Sequence, residues 1–251
     1  MKHNSFQGKK KRNTTNIILI VIAALFFLTG VGLLLVNPIR SAIRMRITND
    51  ALESIESQIS ANVSNSDNTE PSAMTIIVSK DGNEVAGEKY DFFGEGEELL
   101  ELQNEVAEME ANLPQNITLT CIGILKIDKI DLNLPVWDQT TRVALRYGLG
   151  LYESSAAPGT NGNTSILGHR NQHTSTMFYR LKEVKAGDTV KLLLASGEEL
   201  QYRVREVRFV SPEQLYDSII SSASSTPQLT LVTCATERGQ GHRRLVICTP
   251  I

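Results

Sequence analysis

The chain has 251 residues, room for one sizeable domain with accessories, and 41% of them are hydrophobic, enough to bury a core. Its net charge of −3 is unevenly spread: residues 1–16 carry Lys2, Lys9, Lys10, Lys11 and Arg12 and no acid, a tail of +5 that leaves −8 on the remainder. No large basic face is left over, so nucleic acid is not an expected partner.

The first element after that tail is "IILIVIAALFFLTGVGLLLV", residues 17–36, without a charge and closed by Asn37 and Pro38. A helix of about 20 apolar residues spans the hydrocarbon layer of a bilayer. The basic cluster before it should stay in the cytoplasm and leave the rest outside. Arg40, Arg44 and Arg46 on the far side weaken that asymmetry without reversing it. A cleaved signal peptide is the competing reading, but its apolar core normally runs about 7–15 residues and ends in a small-x-small site. The expectation is a single-pass membrane anchor with an extracellular bulk.

Residues 37–117 read as an extracellular accessory region. Residues 41–73 read as a stalk that forms little core, and "SNSDNTEPS" within them is polar and proline-containing, the composition of a flexible segment. "MTIIVSKDGNEVAGEKY" reads as a small hairpin with Asp81-Gly82 at its turn. In "GEGEELLELQNEVAEMEANLP", Leu99, Leu102, Val106, Met109 and Leu113 recur at spacings of three and four, an apolar stripe on an amphipathic helix that Pro114 ends.

From residue 118 to 251 the pattern changes to short strands. "TLTCIGILKI", "DLNLPVW", "TSILGH", "DTVKLLLA", "ELQYRVREVRFV", "LTLVTC" and "RRLVICT" are each bounded by Gly, Pro, Asp, Asn or Ser. Helical pattern is confined to short stretches at 139–147, 175–184 and 212–221. Many short strands with turn signals between them indicate a mainly β, closed barrel with short helices in its connections.

Three cysteines are present, Cys121, Cys234 and Cys248. An odd count outside the cell leaves at least one free thiol. Cys121 and Cys248 lie in strand-like runs and read as small buried hydrophobes, a bridge between them being the lesser alternative. Cys234 ends the apolar run "LTLVTC", and His169 closes "TSILGH". A thiol and an imidazole at the ends of neighbouring strands can share a cleft, the arrangement of nucleophilic cysteine catalysis. An arginine pair, Arg243 and Arg244, follows Cys234 and could supply a cation to an oxyanion. On these features alone a buried structural Cys234 is equally admissible. His3, His173 and His242 read as polar groups without a catalytic part.

"TLVTC" followed by arginine resembles the TLxTC…R signature of sortases, the membrane-anchored cysteine transpeptidases of Gram-positive surfaces. "SILGHR" resembles the segment that carries their histidine, "TMFYRLKEVKAGDTVKL" their Phe–Leu–Gly-Asp stretch, and "IGILKIDKIDLNLPV" their opening strand pair. The resemblance covers about residues 119–250 in the family's order and implies a sortase-type barrel over 118–251 as the catalytic domain. It implies Cys234 as nucleophile, His169 as acid/base and Arg243 as oxyanion donor, with no cofactor and no metal. Neighbouring residues on a strand point to opposite faces, so only one of the arginine pair can reach the cleft; Arg244 then reads as a solvated outer residue. The implied partners are surface proteins or pilins bearing an LPxTG-like sorting signal, and an amine acceptor on a pilin lysine or a peptidoglycan precursor. "GHR" and the eight residues between Cys234 and Arg243 resemble the pilin-polymerising class C group. The Asp-Pro-aromatic lid of that group has only "YDFFGE" at 90–95 as a counterpart, without the proline, and a housekeeping or class D-like member stays open. Two other functions fit parts of the pattern: a cysteine protease or acyl hydrolase, and a non-catalytic surface adhesion domain.

Overall fold

The computed structural model describes residues 9–64, 74–79, 114–171, 176–238 and 241–251. The expected hairpin turn at Asp81-Gly82, the helix over 94–114 up to Leu113, the stretch 90–95, His3 and His173 fall outside them. The chain divides into two compact units, residues 1–43 and 44–251.

Helix α1 (Lys9–Ser64) supplies the described part of the first unit and the start of the second. In the first unit its apolar side chains face outward, with Phe26 75% exposed and Ile17, Phe27 and Leu28 similarly open. Among the described residues, no helix is long and apolar enough to cross a membrane.

In the second unit, residues 44–64 depart from the expected stalk. Ala51, Ile55 and Ile59, spaced by four, are buried along one helix face, packed with Met74, Val78, Leu119 and Trp137. Glu56, beside that stripe, meets Lys126 at 2.8 Å and accepts from Asn133 Nδ2 at 3.2 Å. The polar composition there conceals a stripe too narrow to stand out in the sequence, since a helix needs only one apolar position per turn to dock.

Strand β1 (Thr75–Ser79) pairs antiparallel with the first half of β2 (Asn116–Ile127), Ser79 opposite Asn116. The barrel proper continues through β3 (Leu132–Trp137), the short helix α2 (Arg142–Tyr147), β4 (Leu149–Leu151) and β5 (Asn163–Leu167). A two-stranded ribbon, β6 (Arg170–Asn171) with β7 (Thr176–Met177), and a 3-10 segment Phe178–Glu183 lead to β8 (Thr189–Leu194) and β9 (Glu199–Val210). Helix α3 (Pro212–Ile219), β10 (Gln228–Cys234) and β11 (Arg243–Pro250) complete it. Eight strands run in the order β2-β3-β4-β5-β10-β11-β9-β8, and β8 pairs back onto β2 to close the ring. The seven strand-like runs of the sequence are all strands, and its three helical stretches hold α2, the 3-10 segment and α3. Strand β4, three residues long, carries too little pattern to be read from sequence.

Alternation of side chains divides the barrel into two faces. Leu229 and Leu231 of β10 and Val246 and Cys248 of β11 point into the interior core. Leu167, Val232, Leu245 and Val210 point the other way, where Leu215 and Ile219 of α3 cover them. Strands β5 and β10 run parallel and are buried on both faces, so neither shows the apolar–polar alternation of a half-exposed strand. At their N-terminal ends a buried polar set locks the register: Asn163 Oδ1 accepts from Thr230 Oγ1 at 2.7 Å and Gln228 Nε2 at 3.0 Å.

Candidate active site

Parallel pairing puts the C-terminal ends of β5 and β10 at one end of the barrel, and antiparallel pairing brings the start of β11 to the same end. Cys234 is the last residue of β10, and Arg243, the first of β11, is its direct register partner. Side chains opposite each other in an antiparallel pair share a face, with Cβ atoms about 4.5–5.5 Å apart. His169 lies two residues beyond Leu167, where the ladder is extended by a bond from Gly168 N to Val232 O at 3.0 Å. The period of two then sets Cys234 with Val232 and Arg243 with Leu245, on the face that α3 covers further along, and His169 follows the C-terminal end of β5 at the same end of the barrel.

Each position is fixed by neighbours the sequence did not single out. Thr233 Oγ1 donates to Gly168 O at 2.8 Å, tying the residue before the thiol to the residue before the imidazole. His169 O accepts from Phe178 N at 2.9 Å, so a fully buried aromatic ring anchors the start of the loop. Gly168 has no room for a side chain: a Cβ there would stand 2.6 Å from Phe178 Cδ2 and 2.6 Å from Leu149 Cδ2. Gly168→Ala should therefore cost about 1–3 kcal/mol of stability, the usual penalty of overpacking, and displace His169. Thermal unfolding together with turnover checks this, and an unchanged melting point with full activity would contradict it.

Arg243 is only 1% exposed. Its Nη1 donates to Gly241 O at 2.7 Å and His242 O at 3.2 Å, which folds the guanidinium back onto its own loop. Gly241 supports this turn at φ +76°, a region costly for other residues. Arg244, on the opposite face, is not the solvated residue expected. Its side chain is 12% exposed, donates to Glu237 at 2.5 Å and stacks 4.7 Å from the Phe209 ring. An aliphatic stem over an aromatic ring and a carboxylate at its tip hold it down.

The three thiols differ in setting. All are free, but Cys234 is half-exposed whereas Cys121 and Cys248 are buried. Burial pushes the Cys121 thiol up to about 11 and the Cys248 thiol up to about 12. Both remain protonated and inert at neutral pH, as structural thiols do. A mild alkylator at pH 8 should label the folded protein once, at Cys234, by mass of the peptides; labelling of Cys121 or Cys248 at comparable rate would refute this. The same shifts set a pH trend. In the unfolded chain these thiols lose protons near pH ~8.5. Stability is therefore retained below that pH and falls as pH rises through the interval up to the raised values.

A thiol, an imidazole and a buried guanidinium carried to one end of the barrel are the residue types that acyl transfer uses. The lineage follows from the sequence: the Sortase domain profile matches residues 125–250. The chain belongs to the sortase family. This sortase is 36% identical over 112 residues to Sortase D of Bacillus subtilis (strain 168), covering 45% of this chain and 53% of that protein. It is 29% identical over 135 residues to Sortase A of Streptococcus agalactiae (serotype III, strain NEM316), covering 51% and 53%. This sortase thus spans about half the length of the curated relatives it matches. Among solved structures, sortase C1 of Streptococcus agalactiae is similar at 29% identity and a TM-score of 0.47, over 52% of this chain and 67% of that one. The Clostridium perfringens Sortase D5 transpeptidase is similar at 26% identity and a TM-score of 0.47, over 59% and 88%.

Proposed function

We propose that this sortase is a cysteine transpeptidase that cleaves an LPxTG-like sorting signal after threonine and passes the acyl group to an amine. The observation that supports it most directly is the register pairing of Cys234 with Arg243 beside the end of β5, which His169 follows by two residues. The Cys234 thiolate attacks the threonine carbonyl, and its oxygen takes up the negative charge beside the Arg243 guanidinium. The tetrahedral adduct collapses, the C–N bond breaks, and His169 gives its proton to the departing glycine amine. A thioester on Cys234 remains. An incoming amine gives its proton to His169 as it attacks the thioester, a new peptide bond forms, and the thiolate leaves.

The acceptor in this reading is a pilin lysine or a peptidoglycan-precursor amine. "GHR" and the eight-residue interval before Arg243 favour the pilin-polymerising group, while the resemblance to Sortase D favours a different class. The soluble portion from about residue 41, incubated with LPxTG-type peptides and each candidate amine, should yield a ligated product by mass. Hydrolysis alone, unaltered by amine, would indicate a protease instead; no cleavage and no peptide protection of the thiol would indicate an adhesion domain.

Residues 17–36 are proposed as an uncleaved anchor. The uncharged run of the sequence and the outward-facing apolar side chains support this. The basic tail supports a cytoplasmic N-terminus and an extracellular catalytic domain. A reporter fused at residue 38 and found only in the cytoplasm would reject that orientation.

A further inference from the structure

The connection between β10 and β11 carries a charge cluster that the reaction scheme leaves unused. Glu237 lies three residues past Cys234, in the 3-10 turn Thr236–Arg238. One carboxylate oxygen accepts from Arg244 Nη2 at 2.5 Å, and the other lies 3.5 Å from Arg170 Nη1. Arg244 adjoins Arg243, and Arg170 adjoins His169. Phe209 of β9 lies 4.7 Å from the Arg244 guanidinium and 4.6 Å from that of Arg238. Glu237 therefore joins two cations, at 36% side-chain exposure. Burial pushes its carboxyl up, but its backbone hydrogen bond and the Arg244 and Arg170 guanidiniums outweigh that and hold it below the usual carboxylate range.

The position of this carboxylate matters because the backbone ladders run out at the site. The β5–β10 pairing stops at Leu167 with Val232, and the β10–β11 pairing stops at Cys234 with Arg243. Past those rungs only single backbone bonds remain, Gly168 N to Val232 O, Ala235 N to His242 O and Phe178 N to His169 O, and side-chain bridges add to them in holding the segments together. We propose that Glu237 is a positioning residue that, by gripping Arg170 and Arg244 together, aligns His169 and Arg243 on Cys234. Without its charge, Arg170 and Arg244 repel each other and the segments that carry them spread.

This rests on the transpeptidase reading, and two readouts keep the two separable. The first is steady-state turnover of an LPxTG-type peptide with an amine by Glu237→Ala, Glu237→Gln and Glu237→Asp. Misplacement of about 1 Å can cost up to ~100-fold; for a bridge one residue removed from the reacting groups, kcat should fall about tenfold in Ala and Gln, with KM within about twofold. Asp, which keeps the charge, should recover at least about a third of the wild-type kcat. The second readout is the rate of Cys234 alkylation by iodoacetamide at fixed pH, which needs no peptide. It should fall about fivefold in Ala and Gln, because the thiolate loses its aligned neighbours. Wild-type kcat and alkylation in both variants, a loss confined to KM, or an Asp variant as slow as Ala would overturn the assignment. Should the Ala variant fail to fold, the isosteric Gln variant decides. A wild-type protein that cleaves no peptide ends the transpeptidase reading alone, and the alkylation rates still decide on Glu237.

Discussion

Cys234→Ala is expected to abolish both cleavage and ligation, a fall on the order of 10⁶ in turnover, as when the nucleophile is removed from other covalent catalytic units. The thioester cannot form, and the remaining imidazole and guanidinium have no covalent path to support. The fold should not change: Cys234 is half-exposed at a strand end, and the substitution removes one sulfur atom without touching the barrel interior. Equal melting points for the two proteins would therefore attribute the loss to chemistry. The measurement is ligated product by mass over long incubation, and substantial turnover by Cys234→Ala would end the covalent mechanism. Stoichiometric alkylation of the wild type, prevented by saturating peptide, is the companion test, because the buried Cys121 and Cys248 contribute no background.

Arg243→Gln should lower kcat by about 10²–10³, the range measured when one oxyanion donor is deleted elsewhere. A group that acts on charge developing in the transition state changes kcat and leaves KM near its starting value. Gln keeps much of the volume and one donor amide for the carbonyls of Gly241 and His242, so the backbone turn survives. Alanine is the poorer test: it would remove the side-chain donor to Gly241 O, while His242 O keeps Ala235 N, at a cost of about 1–3 kcal/mol, mixing stability with catalysis. Arg243→Lys separates charge from shape, since lysine retains the cation without the planar fork. Arg244→Gln is the control on the other face of the strand and should act only through Glu237, by about the tenfold expected for that residue. Equal and large losses at both arginines would contradict the assignment of Arg243 alone to the substrate face.

The barrel was legible because its strands obey simple periodicities. β2 and β9 alternate, and β5 and β10 are short β-branched and apolar stretches bounded by turn residues, so each announces itself. The proposed Cys234 and His169 drew attention for a related reason, as reactive side chains standing where strand-like runs stop. The proposed choice of Arg243 over Arg244 rests on the strand period together with the family pattern that marks the first. Glu237 escaped notice because its partners, Arg170 and Arg244, are distant in sequence, and charge pairing across a fold leaves no periodic trace. Gly168 escaped because its need for space is set by Phe178 and Leu149, from two other elements. Residues 44–64 misled through composition: three apolar side chains among many polar ones suffice to dock a helix but not to colour a stretch of sequence.

The parallel pairing of β5 with β10 carries a kinetic consequence. Leu167 and Val232 are partners separated by some sixty residues of chain, and closing such a span costs entropy before any contact rewards it. The hairpin of β10 with β11 forms over a short loop and can assemble early, but it brings only sulfur and guanidinium together. The imidazole arrives with the long-range zipper. Refolding should therefore yield first a species with paired ends and a sluggish thiol, and competence only as the ring shuts, so that enzymatic recovery clocks the slowest step in building the molecule.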